Sequence, residues 1–144
     1  MTYKLINKPE EKYRKQIIEF IAKNSKSNHP LTNKTLFNWF YLIKENKTNY
    51  STANNNNKLS LTMAVNNDEI VSILGYYNVQ FRVENKIKNG IHLSFWLSNI
   101  NHRKGIGALL MKLLVDNNKV IAALGASEMN KPICRALNFR IIEK

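Results

Sequence analysis

The stretch from Trp96 to Leu114 constrains this chain more than any other. Ile91 to Leu97 is an apolar, aromatic run suited to a strand, and Ser98 to His102 is a short polar turn. Two basic residues follow, Arg103 and Lys104, then two glycines one residue apart, Gly105 and Gly107, leading into a helical pattern over Ile106 to Asp116. Glycine lets the backbone take dihedrals closed to other residues and approach a ligand closely. The first N–H groups of a helix lack internal partners, and the helix dipole makes that end attractive to anions. The stretch therefore reads as a backbone shaped to hold a phosphorylated ligand. A glycine-kinked turn before an ordinary amphipathic helix is the other reading of the same residues. A dinucleotide fingerprint would need a third glycine where Leu110 stands, and no Gly-Lys-Ser/Thr run supports a P-loop.

The run His102-Arg103-Lys104-Gly105-Ile106-Gly107 is similar to the Arg/Gln-x-x-Gly-x-Gly/Ala signature of the GNAT superfamily of acyl-CoA-dependent N-acetyltransferases, with His102 at the usual Arg or Gln position. The resemblance implies that His102 to Ala108 cradle the pyrophosphate of acetyl-CoA. It also implies that the backbone at Phe95, Trp96 and Leu97 holds the pantetheine and supports the acyl carbonyl. A second motif, Asn-x-x-Ala-x-x-x-Tyr-x-x-x-Gly-Phe, resembles Ser127 to Phe139, which puts Ser127 at the Asn position, among the cofactor contacts, Cys134 at the Tyr position and Asn138 at the glycine. Cys134 then stands where a general acid protonates the leaving thiolate; a small buried apolar cysteine is its other reading. For a base, His92 lies on the strand leading to the site, and an unperturbed imidazole titrates near neutrality. Glu84, Glu69, His29 or a water chain are the alternatives. The fold implied is α/β (α+β): a mixed, mostly antiparallel sheet splayed at its middle, with helices on both faces.

The chain in order supports that architecture. Thr2 to Ile6 suits a strand, Pro9 opens a helix reaching Asn24, and a second helix is expected over about Asn33 to Glu45. Its apolar face is expected at Leu36, Phe37, Phe40 and Ile43, with Trp39 and Tyr41 turned away toward an acceptor or ordinary packing. Asn46 to Lys58 reads as a solvated loop. Alternation over Leu59 to Val65, the turn Asn67-Asp68 and the run Glu69 to Val83, bulged near Gly75, give two antiparallel strands. A turn over Lys86 to Gly90 leads to the third. After the glycine turn and helix come a strand at Lys119 to Leu124 buried on both faces, a helix at Glu128 to Leu137 capped by Ser127, and a strand at Phe139 to Ile142. The family carries one strand more, so an open sheet edge is expected, completed by a second subunit in a homodimer or by the rest of a longer protein.

Composition sets the outer limits. The 144 residues, 44% hydrophobic, suit one domain over 1–144 with a substantial core. No apolar run approaches the roughly 20 residues of a membrane span, and the charged start lacks a signal-peptide core. The single cysteine excludes an internal disulfide and agrees with a reducing cytoplasm, and the histidines show no zinc-ligand spacing. The net charge of +12 attracts polyanions. Its lysines are scattered, which makes nucleic acid a remote partner and coenzyme A a sufficient one. The expected reaction is acetyl transfer from acetyl-CoA to a primary amine. The run Ala123 to Glu128 and Asn138-Phe139-Arg140 loosely resembles surface-polysaccharide modules, which favours a nucleotide-linked amino sugar as acceptor. A peptide acceptor or a non-catalytic acyl-CoA-binding module are the rivals.

Overall fold

The structure, a computed structural model, describes residues 2–43, 57–103, 105–125 and 127–142. Most of the expected Asn46 to Lys58 loop, together with Lys104, lies outside the described residues. Five strands form one sheet in chain order: β1 (Lys4–Asn7), β2 (Leu61–Asn66), β3 (Glu69–Val83), β4 (Lys86–Ser98) and β5 (Ile121–Ala123). The first four pair antiparallel, and β5 joins β4 in parallel. Between them run α1 (Arg14–Asn24), α2 (Lys34–Tyr41), α3 (Ile106–Asn117) and α4 (Lys131–Ala136). This is the expected order of elements as far as α4, and it places helices on both faces of the sheet.

Two cores follow from the alternation of the strands. On one face Ile17, Phe20 and Ile21 of α1 and Phe37 and Tyr41 of α2 pack on Leu61, Met63 and Ile73. On the other, Ile106, Leu110, Met111 and Leu114 of α3 and Cys134 of α4 pack on Ala64, Leu74, Tyr76, Ile91 and Leu93. Full burial of one such side chain stabilises the fold by about 1.5–3 kcal/mol. Turn chemistry fixes the register. Asn67 and Asp68 take positive φ, as do Glu84 and Asn85, giving two-residue hairpin turns of the kind that matches strand twist. The second hairpin turns at Glu84-Asn85 rather than over Lys86 to Gly90, because Asn tolerates the left-handed region; β4 is longer as a result.

The bulge expected near Gly75 is present, and its extra residue sits on β4. Gly75 faces Phe95 and Tyr76 faces Leu93, leaving Ser94 without an opposite number. The slip reverses the pleat: Leu93 belongs to the α3 core and Phe95 to the α1/α2 core, although two residues apart.

Other expectations are corrected. On α2, the buried pair is Phe37 and Tyr41, four residues apart, while Phe40 is largely exposed and Trp39 is 69% exposed. Tyr41 is admitted because Gly75 lies over its ring; a Cβ there would come within 2.6 Å of Cε1. The helix after Ser127 begins only at Lys131, since Pro132 has no N–H to donate and is tolerated only in a first turn. Asn130, not Ser127, is the residue before that helix. Strand β5 is shorter and more exposed than the expected strand buried on both faces. Phe139 to Ile142 forms no strand: Phe139 and Ile141 pack against the α3 core, with no ladder partner beside them among the described residues. No helix among the described residues is long and apolar enough to cross a membrane.

Candidate functional site

The site is built where β4 and β5 part. Their pairing is confined to Ile91–Ile121, His92–Ala122 and Leu93–Ala123. Beyond Leu93, the β5-facing side of β4 has no sheet partner among the described residues, so backbone groups on that side of Ser94 to Ser98 could serve a ligand. Three cavities follow this gap in sequence.

The first, of about 340 Å³, opens at the N-terminus of α3 and is lined by Trp96, Ser98, Arg103, Gly105, Gly107 and Ala108 together with residues preceding and within α4. Gly105 precedes the helix at φ 83°, a left-handed conformation that glycine takes without strain. Gly107 serves differently: a Cβ there would meet Trp96 Cζ2 at 2.5 Å, so its missing side chain lets the indole lie against the helix. The N–H groups of the first turn have no acceptor within the helix, and Gly107 and Ala108 of that turn line the cavity with Arg103. Cationic side chain, free N–H groups and glycines together fit a pyrophosphate.

The second cavity, about 290 Å³, is the gap itself, walled by Ser94, Phe95 and Trp96 on one side, Ala123 to Gly125 on another, and Asn130 and Cys134 on the third. Trp96, Ser127 and Asn130 line both it and the first cavity. The third, about 250 Å³, lies on the α2 side and shares Ser94 and Phe95 with the second. There the Tyr41 hydroxyl and Ser94 Oγ share a hydrogen bond of 3.0 Å. Burial pushes the Tyr41 phenol up, with the Ser94 hydrogen bond partly offsetting it.

The residues singled out in the sequence separate accordingly. Phe95, Trp96, Leu97, Arg103, Gly105, Gly107, Ala108, Ser127 and Cys134 all line the first two cavities. Ile106 sends its side chain into the α3 core. The His102 ring turns to β1, with Nδ1 3.2 Å from the Tyr3 hydroxyl, and it does not line these cavities. Cys134 is 6% exposed, and burial pushes its thiol up, so it is protonated at neutral pH. His92 stacks on Tyr77 at 5.0 Å, its Nδ1 buried without a hydrogen-bond partner, and lines none of the three cavities. Asn138, at the family's glycine, has φ 63°, a conformation asparagine adopts more readily than most residues. Two features escaped the sequence. Asn130 sits where the motif has alanine, and a polar residue there was the available signal. The Tyr41–Ser94 pair joins residues 53 apart and left none.

No protein-family profile and no curated protein sequence matches the chain. Solved structures do. A transcriptional regulator from Bacillus halodurans superposes with a TM-score of 0.68 at 15% identity, covering 99% of this chain and 96% of that one. An acetyltransferase from Trypanosoma brucei gives 0.66 at 14% identity over 99% and 96%. The acetyltransferase AAC(6')-Iy, in complex with the bisubstrate analogue CoA-S-monomethyl-acetylneamine, gives 0.66 at 8% identity over 100% and 95%. The fold, a mixed five-stranded sheet with helices, is the one these acetyltransferases share.

Proposed function

We propose that this protein is an N-acetyltransferase that moves acetyl from acetyl-CoA to a primary amine by direct attack. One observation carries the reading: the three cavities run from the α3 N-terminus through the β4–β5 gap to the α2 side, sharing Trp96 at one junction and Ser94 and Phe95 at the other. A long ligand with a phosphorylated end fits that sequence of surfaces, and a structure of the same fold holds a coenzyme A bisubstrate analogue. Arg103 and the first turn of α3 bind the pyrophosphate. The unpaired backbone of β4 takes the pantetheine and polarises the acetyl carbonyl, an interaction of a kind that contributes about 3–4 kcal/mol to a transition state.

The amine reaches the carbonyl from the Ser94 side, in its neutral form. A nitrogen–carbon bond forms, the carbon–sulfur bond breaks, the nitrogen loses its proton to solvent, and the leaving thiolate takes one. Cys134, protonated and in the wall of the gap, is the nearest proton donor the sequence suggested. His92 acts as base only through water, since it lines no part of the passage. The outer edge of β5 has no partner strand among the described residues, and a second copy of the chain completes the sheet there. Light scattering on a sizing column is expected to give twice the mass of one chain; a single-chain mass removes the shared sheet.

Acetyl-CoA is expected to raise the melting temperature, and thiol release from it is expected to require an added amine. Stabilisation without release for any amine would leave a binding module. Stabilisation by duplex DNA and not by acetyl-CoA would move the protein out of this class altogether.

A further inference from the structure

The α2-side cavity says more about the acceptor than the fold does. Its described lining is His29, Leu31, Leu36, Phe40, Tyr41 and Phe95, with Pro30 and Ser94, and contains no Asp, Glu, Lys or Arg. The aromatic rings are arranged around the space: His29 lies 4.9 Å from Phe95, and Phe40 lies 5.9 Å from Tyr41. Outside the lining, Trp39 packs edge-on against Phe40 at 4.7 Å and extends the apolar lip. The polar atoms are few. The Nδ1 of His29 already accepts the Leu31 N–H at 3.2 Å, which leaves its Nε2 and, at the inner end, the Tyr41 and Ser94 hydroxyls.

Resting on the acetyltransferase reading above, we infer that the acceptor is a small monoamine with an uncharged, apolar or aromatic body, its nitrogen held by the Tyr41–Ser94 hydroxyl pair. A nucleotide-linked sugar would need cations for its diphosphate, and a polyamine or aminoglycoside would need carboxylates; the described lining supplies neither. The molecule's charge of +12 further repels polycations. The volume, about 250 Å³, lies just below the 300–1,000 Å³ or so of pockets that take drug-sized ligands, and suits a single ring. The apolar wall also bears on the missing base. Desolvation disfavours an ammonium, so an amine entering this cavity sheds its proton more easily than in water. The hydrogen-bonded hydroxyls then present one free proton and free lone pairs, enough to orient a neutral nitrogen.

The test is equilibrium binding to the full-length protein saturated with coenzyme A, which reports on the acceptor cavity without turnover. 2-Phenylethylamine is expected to bind at least about tenfold more tightly than spermidine or a uridine-diphosphate amino sugar. Phe40→Asp, at a largely exposed position, is expected to weaken the arylalkylamine about tenfold and to strengthen spermidine. Tyr41→Phe is expected to weaken 2-phenylethylamine several-fold and to lower kcat, and unchanged binding of that amine removes the hydroxyl pair from the inference. Tighter binding of spermidine or the sugar nucleotide, or no binding of 2-phenylethylamine at millimolar concentration, overturns the inference and leaves donor binding standing. If coenzyme A itself fails to raise the melting temperature, the acetyltransferase reading falls and this inference with it.

Discussion

Gly107 is the residue on which the donor site depends most directly. Its absent side chain is the space Trp96 occupies, so Gly107→Val forces the indole off the helix. Overpacking of this kind costs about 1–3 kcal/mol, and the same displacement closes the first cavity. A lowered melting temperature with a several-fold higher KM for acetyl-CoA is expected, against a smaller loss for Gly105→Ala, where strain arises from φ 83° and nothing lies within 4 Å of the added carbon. Three buried acids bear on stability at alkaline pH, the Tyr41 phenol described above being one. The Tyr76 phenol, donating to Asn7 Oδ1 at 3.2 Å, is pushed up to about 12 by burial, and the Cys134 thiol is raised by burial too. A raised acid favours folding while protonated in both states; once the unfolded chain ionises first, stability falls as pH climbs toward the folded value. Denaturant midpoints are expected to drop between pH 10 and about 12, and Tyr76→Phe to flatten that drop. In the sequence Cys134 was visible by motif position, whereas its burial in the wall of the gap comes from packing.

At the scale of elements, legibility followed local chemistry. The strand Glu69–Val83 and the Asn67-Asp68 turn were legible because alternation and turn residues are properties of neighbouring positions. The α2 face was not: Phe40 and Tyr41 are equally apolar by sequence, and the choice between them was made by a glycine 34 positions beyond, on β3. The start of α4 was legible in principle from Pro132 alone. Phe139 to Ile142 shows the opposite limit, since its alternation is real and its burial partial, but a strand needs a partner that no local pattern supplies. The bulge at Ser94 tests this at the bench. Deleting Ser94 makes Leu93 and Phe95 neighbours in a regular pleat, still on opposite faces, so the α1/α2 packing is expected to survive in chemical denaturation while thiol release is lost with the bulge and its hydroxyl. A compensating loss on α3, Leu110→Ala, costs about 2–5 kcal/mol without touching the passage, and separates destabilisation from displacement.

For the whole molecule, the charge of +12 has one clear kinetic consequence. A polyanionic donor is drawn to a cationic protein through a field that salt screens over about 10 Å at 0.1 M. The KM for acetyl-CoA is expected to rise with sodium chloride, while that of an uncharged-bodied amine changes little; equal sensitivity for both would show that the field plays no part in donor capture. The fold as a whole was legible because its order of elements is long and specific, and the glycine turn before α3 because its glycines and basic residues are nearly contiguous. The acceptor side was not, since its residues come from positions 29 to 41 and 94 to 95 and meet only in space. Those last two positions carry a further consequence. The proposed donor and acceptor compartments meet at a partition made of Ser94 and Phe95, and Ser94 is the smaller of the two side chains. Substituting Ser94 by leucine turns a doorway into a wall: coenzyme A still docks, and the amine never meets it. A protein of this design passes from transferase to receptor by a change at one position, with its donor half intact.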